Sequence, residues 1–143
     1  MKQVERKLMT VGELSRRTGL SIKAIREYES LGLIYSAGRS EGNYRLFDET
    51  ALWCARVIIE WRSVGLTIKE IKQLADAYLA DRDEPIGPKI AAALDRAEQR
   101  IETQLQELDT LRRRIAAYRA DNAAALAGRA DFAAPDPRAQ DAA

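Results

Sequence analysis

The chain has 143 residues, 46% of them apolar, which is enough for one modest domain with its own core and an extension. It contains no histidine and one cysteine, so it lacks the usual general base and the ligand set of a structural zinc site, and we predict neither an enzyme nor a cofactor or metal site. The net charge is only +1, yet residues 1–72 hold 13 Lys and Arg against 9 Asp and Glu, whereas residues 73–143 hold 10 against 13.

The first predicted elements are two short helices separated by a glycine turn. Apolar residues recur at helical spacing on both sides of residues 18–21. Thr10 caps the first helix in a capping box with Glu13, Gly19 ends it in a left-handed turn, and Ser21 caps the second helix. The pattern predicts a helix-turn-helix, and the alternative is a helix pair that only packs into a core.

The outer face of the second helix favours nucleic-acid binding. Lys23, Arg26 and Tyr28 cluster there beside the small Ala24, which leaves space for the edge of a DNA groove. The predicted DNA contacts of the helix pair are Arg16, Arg17, Ser21, Lys23, Ala24, Arg26 and Tyr28.

A short hairpin is predicted over residues 35–47. Its turn contains Gly42 and Asn43, which accept a positive φ. Arg39 and Arg45 lie one on each strand and would grip a phosphate, whereas the alternative is a solvated loop with a half-buried tyrosine. The predicted DNA contacts of the hairpin are Arg39, Tyr44 and Arg45.

Two more helices complete the predicted globular part. Asp48 caps a helix from Glu49 to about Val64, and Thr67 caps the next, IKEIKQLADAYL. Cys54 lies in the middle of the first of these helices. We interpret it as a small buried hydrophobe or, alternatively, as a sensor thiol.

A linker and a long heptad helix follow the N-terminal domain. Residues 80–88, ADRDEPIGP, carry two prolines and a glycine and predict a linker after residue 79. Apolar residues then alternate steps of four and three over residues 89–121, the pattern of a coiled coil. The seam consists of Ile90, Leu94, Ala97, Ile101, Gln104, Leu108, Leu111, Ile115 and Tyr118. A lone helix cannot cover this seam, so we favour self-association over a partner protein. The composition of residues 122–143 predicts a mobile low-complexity tail.

Three stretches in order, TVGELSRRTGLSIKAIREYESLGLI, RSEGNYRLFDE and WRSVGLTIKEIKQL, resemble the MerR family of bacterial transcription regulators. With the heptad helix, the likeness covers about residues 10–120. It implies a mainly α fold: an N-terminal winged helix-turn-helix domain with a small β-hairpin wing, followed by a long coiled-coil dimerisation helix. It also implies a cytoplasmic, nucleoid-associated homodimer, joined by an antiparallel coiled coil, that binds a near-palindromic operator and distorts promoter DNA for RNA polymerase.

The resemblance also assigns individual residues. Ser21, Lys23, Ala24, Arg26 and Tyr28 fall on the recognition helix, Arg39, Tyr44 and Arg45 on the wing, and Arg62 near a second wing. One departure is Glu27, which takes the first of two places that the family usually fills with aromatics. Its carboxylate would repel a phosphate or accept a hydrogen bond from a cytosine or an arginine.

The signal to which the protein responds is not specified by the sequence. Residues 120–131 contain no cysteine, unlike metal-sensing members of the family, and the tail is short for the second domain of drug-binding members. The expected effector is a small molecule near the coiled-coil ends, a partner, or none, with Cys54 as a carbonyl or oxidant sensor the alternative. An architectural DNA-bending factor and a coiled-coil adaptor remain competing functions, and salt-dependent DNA binding separates the adaptor from the rest.

Overall fold

The structure is a computed structural model that describes residues 7–131 and 137–140. The predicted mainly α fold is confirmed, and a small antiparallel sheet accompanies the helices. The helices are α1 (Val11–Thr18), α2 (Ile22–Ser30), α3 (Glu49–Ser63), α4 (Ile68–Ala80), α5 (Gly87–Asp121), α6 (Ala123–Leu126) and a 3-10 turn (Pro137–Gln140). The strands are β1 (Met9–Thr10), β2 (Gly38–Arg39) and β3 (Arg45–Phe47). Within the described ranges, no helix has the length and apolar character that a membrane crossing requires.

The two predicted N-caps begin α1 and α2, and the predicted glycine ends α1. The Thr10 hydroxyl accepts a hydrogen bond from the Glu13 N–H at 3.2 Å, and the Ser21 hydroxyl accepts one from the Ala24 N–H at 3.0 Å. Gly19 ends α1 with a φ of +81°, a backbone conformation that is energetically unfavourable for a residue with a Cβ. The reciprocal bond of the predicted capping box, from Thr10 N–H to the Glu13 carboxylate, is absent between these two described residues.

Two hydroxyl groups that we did not foresee fix the turn between α1 and α2. Ser15 Oγ donates to the Leu20 carbonyl at 2.6 Å, and Thr18 Oγ1 donates to the Leu14 carbonyl at 2.7 Å. Thr18 Oγ1 also accepts from the Leu20 N–H at 3.2 Å. The angle between the two helices is therefore held by hydrogen bonds as well as by the buried Leu14.

The predicted hairpin forms, but it belongs to a sheet of three strands in the order β1-β3-β2. Met9 pairs with Phe47 across β1 and β3, and Arg39 pairs with Arg45 across β2 and β3. At the turn, Asn43 has a φ of +65°, whereas Gly42 has no positive φ. The sheet thus ties the hairpin to the start of α1 and fixes its register.

The core of the N-terminal part lies between α1, α2, α3, α4 and the sheet. Buried residues occur at helical spacing along α3 and α4, and they include Leu52, Ala55, Ile58, Ile71 and Leu74. The two tryptophans of α3 lie in different surroundings. Trp61 packs against the core, whereas Trp53 is 61% exposed.

The linker is shorter than predicted, because helix continues at both of its ends. Ala80 is the last residue of α4, and Gly87 and Pro88 form the first turn of α5. A proline is compatible with a first helical turn, where its missing N–H would have had no partner in the helix. The stretch between the two helices therefore covers residues 81–86.

The predicted α5 seam divides into two parts. The described residues up to Ala97 form one compact unit, and those from Glu98 form a second. In the first unit, Ala97 and the unforeseen Ala93 are buried and Ile90 packs against the core, so assigning Ile90 and Ala97 to an intermolecular seam was wrong. In the second unit, the apolar stripe is exposed; Ile101, Leu108, Leu111, Ile115 and Tyr118 are between 50% and 59% exposed.

The predicted low-complexity tail contains the short helix α6 and the 3-10 turn. Residues 132–136 and 141–143 of this tail lie outside the described residues, as do residues 1–6 of the predicted N-terminal domain. Mobility of the tail stays a prediction.

Candidate nucleic-acid interface

The outer face of α2 carries two of the predicted basic residues. Lys23 and Arg26 are exposed, and Ile22, Glu27 and Ser30 are exposed with them. These positions are three and four residues apart, so they share one face of the helix. Ile22 is a contact candidate that we missed, because it is one of the apolar residues that recur at helical spacing after the turn and that such spacing assigns to a core.

Tyr28 does not lie on this outer face. It is half-buried and packs against the core, so its predicted outward orientation was wrong. The reason is helical spacing: Tyr28 follows the fully buried Ile25 by three residues. Ala24 is half-buried as well, and the Ser21 hydroxyl is engaged in the cap of α2.

The two arginines of the wing, residues 38–47, face each other across the strand pair. Arg39 and Arg45 are register partners, and like charges opposite each other destabilise a sheet. Each arginine has an acceptor of its own. Arg39 Nη1 donates to the carbonyl and the side-chain oxygen of Asn43, both at 3.3 Å, and Arg45 Nη1 forms an ion pair with Glu29 Oε1 of α2.

Tyr44 projects from the tip of the wing and is 72% exposed. Its ring lies over Gly42, since a Cβ built on Gly42 would be 3.0 Å from the Tyr44 ring. The Tyr44 N–H donates to Ser40 Oγ at 3.1 Å. Gly42 therefore serves the close approach of an aromatic ring and not the positive φ that we predicted for it.

A cleft of about 650 Å³ separates α2 from the wing. It is lined by Thr10, Val11, Arg26, Glu29, Arg39, Asn43, Tyr44, Arg45 and Phe47. Three of these side chains are arginines, so the cleft brings together the cations that the sequence placed on two separate elements. Glu29 is the functional candidate that we missed, because its partner is 16 residues away in the chain.

A second turn connects α3 and α4, and beside it lies Arg62, the penultimate residue of α3. Its Nη1 donates to the Leu66 carbonyl at 3.1 Å, and Gly65 permits the turn with a φ of +92°. Thr67 and Glu70 then form a complete capping box at the start of α4. The Glu70 carboxylate also pairs with Arg96 of α5, at 3.4 Å from Nε to Oε2.

The remaining predicted contacts lie on the surface of α1. Arg16 and Arg17 are both exposed. Arg17 forms an ion pair with Glu49, the first residue of α3, at 3.6 Å. Both partners are about half exposed, so this pair contributes little to stability.

Cys54 is half-buried in α3 and lies away from the cleft lining. Burial raises the pKa of its thiol, and the negative charge of Asp48 raises it further. A raised pKa leaves less of the thiolate, which is the reactive form. The geometry therefore gives the sensor interpretation no support. Among the described residues, no group of three or more His, Cys, Asp or Glu could hold a metal ion.

Comparisons with known proteins show which family this chain is similar to. Residues 9–78 match the family described as MerR HTH family regulatory protein, and residues 55–118 match the family described as MerR, DNA binding. An uncharacterized HTH-type transcriptional regulator of Pseudomonas aeruginosa is 33% identical over 104 residues, 73% of this chain and 77% of that protein.

Two further similar proteins are described with reference to metals. The heavy metal-dependent transcription regulator 2 of Rhizobium meliloti is 36% identical over 87 residues, which are 61% of this chain and 58% of that protein. The crystal structure of the transcription regulator PbrR691 from Ralstonia metallidurans in complex with lead(II) is similar with a TM-score of 0.66 and 35% identity, over 78% of this chain and 85% of that one.

Proposed function

The chain belongs to the MerR family of helix-turn-helix regulatory proteins, and from this premise we propose that it regulates transcription as a homodimer that binds a near-palindromic operator. The observation that carries the proposal is the cleft between α2 and the wing. Arg26 of the helix, Arg39 and Arg45 of the wing line it together. Cations on two elements that flank one cleft suit the phosphates and base edges of one DNA half-site.

The two elements would divide the work of recognition. Lys23 and Arg26 lie on the outer face of a helix, where they can reach base edges in the major groove. Arg39, Tyr44 and Arg45 of the wing, with Arg62 beside the second turn, would contact the DNA backbone and fix the register of the protein on the duplex. Arg16, Arg17, Ser21 and Ala24 complete the proposed interface, and Tyr28 is left out of it because it packs against the core.

The exposed stripe of α5 supports the homodimer. Leu108, Leu111 and Ile115 are half-exposed in a single chain, and their spacing is that of a coiled-coil seam. A second copy presents a stripe of the same spacing. A dimer would bring two helix-turn-helix domains to the DNA at a fixed separation. We therefore expect an operator with dyad symmetry.

Distortion of promoter DNA, to the benefit of RNA polymerase, is the finer part of the proposal. Bending a binding site costs several kcal/mol. Phosphate contacts at both the wing and the second turn would offset this cost, because they hold the duplex on either side of the reading helix. A cytoplasmic, nucleoid-associated location follows from the same role.

A metal response is not part of the proposal. The relatives named above suggest it, and soft metal ions such as lead(II) prefer thiolate ligands. This sequence offers one cysteine and no histidine, and Cys54 is half-buried with a raised thiol pKa. The donor set does not fit such an ion, so the effector is a small molecule, a protein partner, or absent.

Binding to DNA as a function of salt tests the proposal. The probe is a duplex containing the region upstream of the protein's own gene, and the control is a duplex of scrambled sequence. We expect tighter binding to the first, with an affinity that falls steeply as salt rises. Equal, weak and salt-independent binding to both duplexes would contradict the proposal and favour the adaptor function.

Two substitutions assign the roles within the interface. Arg45→Ala should weaken binding to all duplexes about equally, because a phosphate contact carries no base information. Lys23→Ala should instead change the preference at one base pair, by about 1–3 kcal/mol. If both variants lose affinity equally for every sequence, α2 is not the reading helix.

A further inference from the structure

An ion pair joins the wing to α2, the proposed reading helix. Arg45 is the first residue of β3, and its Nη1 donates to Glu29 Oε1, near the end of α2. The two residues are 16 positions apart and both line the cleft. This contact therefore links the two elements that the proposed function assigns to one DNA half-site.

The two partners of this pair differ in their exposure. The Glu29 side chain is 13% exposed, whereas the Arg45 side chain is 53% exposed. The carboxylate is thus held by the fold, and the guanidinium reaches from the wing to meet it. A guanidinium has five N–H donors in a rigid plane, so one contact to Glu29 leaves donors that point to solvent.

The pair does not use the full capacity of the carboxylate. Within the part of the chain that the structure describes, the buried Glu29 Oε2 has no hydrogen-bond partner. A pair optimised for stability alone would be bidentate and satisfy both oxygens. The one-sided contact costs stability, and it leaves the remaining N–H groups of Arg45 available to a second acceptor.

We propose that Glu29 is a positioning residue for DNA recognition, which holds the Arg45 guanidinium beside α2 so that its outer N–H groups meet a backbone phosphate. This inference rests on the proposed function. An arginine held in place loses less side-chain entropy when it binds, and the pair keeps the wing at a constant distance from the reading helix. The carboxylate itself does not contact the DNA.

Whether Glu29→Gln strengthens or weakens DNA binding tests this role. Glu29→Gln removes a negative charge next to the DNA, and by simple electrostatics this change should strengthen binding. Loss of the positioning contact should weaken it. Glu41→Gln is the matched control, because Glu41 is an exposed residue of the wing turn and the change in net charge is the same.

The probe is a duplex recovered by repeated selection of a random-sequence DNA library on the wild-type protein. Relative to Glu41→Gln, we expect Glu29→Gln to bind about tenfold more weakly, the effect of one lost charge-assisted contact. The slope of log affinity against log salt should also fall in magnitude by about 0.9, the contribution of one phosphate. Circular dichroism and thermal unfolding of each variant establish that it is folded.

Removing Arg45 separates positioning from a purely structural effect. If Glu29 acts through Arg45, then Glu29→Gln should not weaken binding further in an Arg45→Gln background. Arg45→Lys, which keeps the charge without the planar fork, should lose part of the affinity and serves if Arg45→Gln does not fold. An equal loss from Glu29→Gln with and without Arg45 would overturn the proposal.

The experiment distinguishes failure of the proposed function from failure of the positioning role. Selection that yields no duplex, with a wild-type protein that ignores DNA in dilute buffer, overturns the proposed function and this inference with it. A wild-type protein that binds DNA, with Glu29→Gln binding as tightly as Glu41→Gln, overturns the positioning role alone.

Discussion

Helix α3 and the outer part of α5, from Glu98 to Asp121, have the same kind of apolar pattern. They differ in whether the chain itself buries the apolar face. In α3, Leu52, Ala55 and Ile58 are buried by the chain itself. In the outer part of α5, Leu108 and Ile115 are about half exposed. Periodicity thus predicts that a face will be apolar, and it does not say which molecule covers that face.

The boundary between the buried apolar face and the exposed one lies within α5. Ala93 and Ala97 are small and buried, and they allow close packing against the N-terminal core. From Ile101 onward, the stripe consists of larger side chains that stand out from a single chain. One continuous helix therefore serves folding at its start and, in the function proposed above, association beyond it.

The largest expected effect comes from charges placed in the exposed stripe. Leu108→Glu with Leu111→Glu should raise the dissociation constant of the dimer by at least about 100-fold, because burying unpaired carboxylates in a seam is costly. Sedimentation at several protein concentrations measures this constant. Gln106→Glu with Thr110→Glu adds the same charge outside the stripe and should leave the constant nearly unchanged. If both double variants sediment like the wild type, the stripe is not an interface.

The same truncation in the two regions sharpens the contrast. In the background of Leu108→Glu with Leu111→Glu, Ile25→Ala should lower the free energy of unfolding by about 2–5 kcal/mol, since Ile25 is fully buried. Ile115→Ala should cost less than about 0.5 kcal/mol in that background, because half of its side chain already faces water. Urea denaturation gives both values. Similar losses would mean that the monomer covers the stripe by itself.

A smaller effect is expected in the turn of the helix-turn-helix. A Cβ at Gly19 or at Gly38 would meet nothing within 4 Å, and only Gly19 has a positive φ, of +81°. Gly19→Ala should therefore cost about 1–2 kcal/mol of unfolding free energy from backbone strain alone. Gly38→Ala should be close to neutral. Thermal unfolding of the two variants tests the difference, and equal losses would contradict it.

The smallest expected effect concerns the half-buried thiol of α3. Because burial raises the pKa of Cys54, less thiolate forms at a given pH in the folded chain than in the unfolded one. At pH 8, iodoacetamide should alkylate the folded protein a few-fold more slowly than the urea-unfolded chain, and the rate should rise at higher pH. Faster alkylation of the folded protein would restore the sensor interpretation.

Local features of the fold were predictable from the sequence. The caps at Thr10, Ser21, Asp48 and Thr67 are predictable because the side chains of Ser, Thr and Asp accept hydrogen bonds from N–H groups in the first turn of a helix. Each of the four accepts such a bond from the residue three positions later. The left-handed Gly19 was predictable for another reason: glycine has no Cβ and readily adopts the positive φ that ends a helix. The hairpin and the long heptad helix were predictable from turn residues and from apolar spacing, and the family resemblance added the placement of Arg62 near a second wing.

Features that depend on distant pairing were not predictable. Strand β1 has only two residues, and it exists because Met9 pairs with Phe47. Contact between Glu29 and Arg45 likewise requires the hairpin to fold back on α2, and no spacing in the sequence reports it. The outward placement of Tyr28 failed because the basic residues beside it suggested a solvent face, whereas packing next to Ile25 decided its position.

The two tryptophans of the chain give α3 built-in fluorescence reporters. An aqueous quencher such as iodide should reach the exposed Trp53 first, and emission from Trp61 should shift to longer wavelength only when the core opens. Quenching and spectral shift can therefore be followed in one cuvette, without a dye, to tell surface events from unfolding.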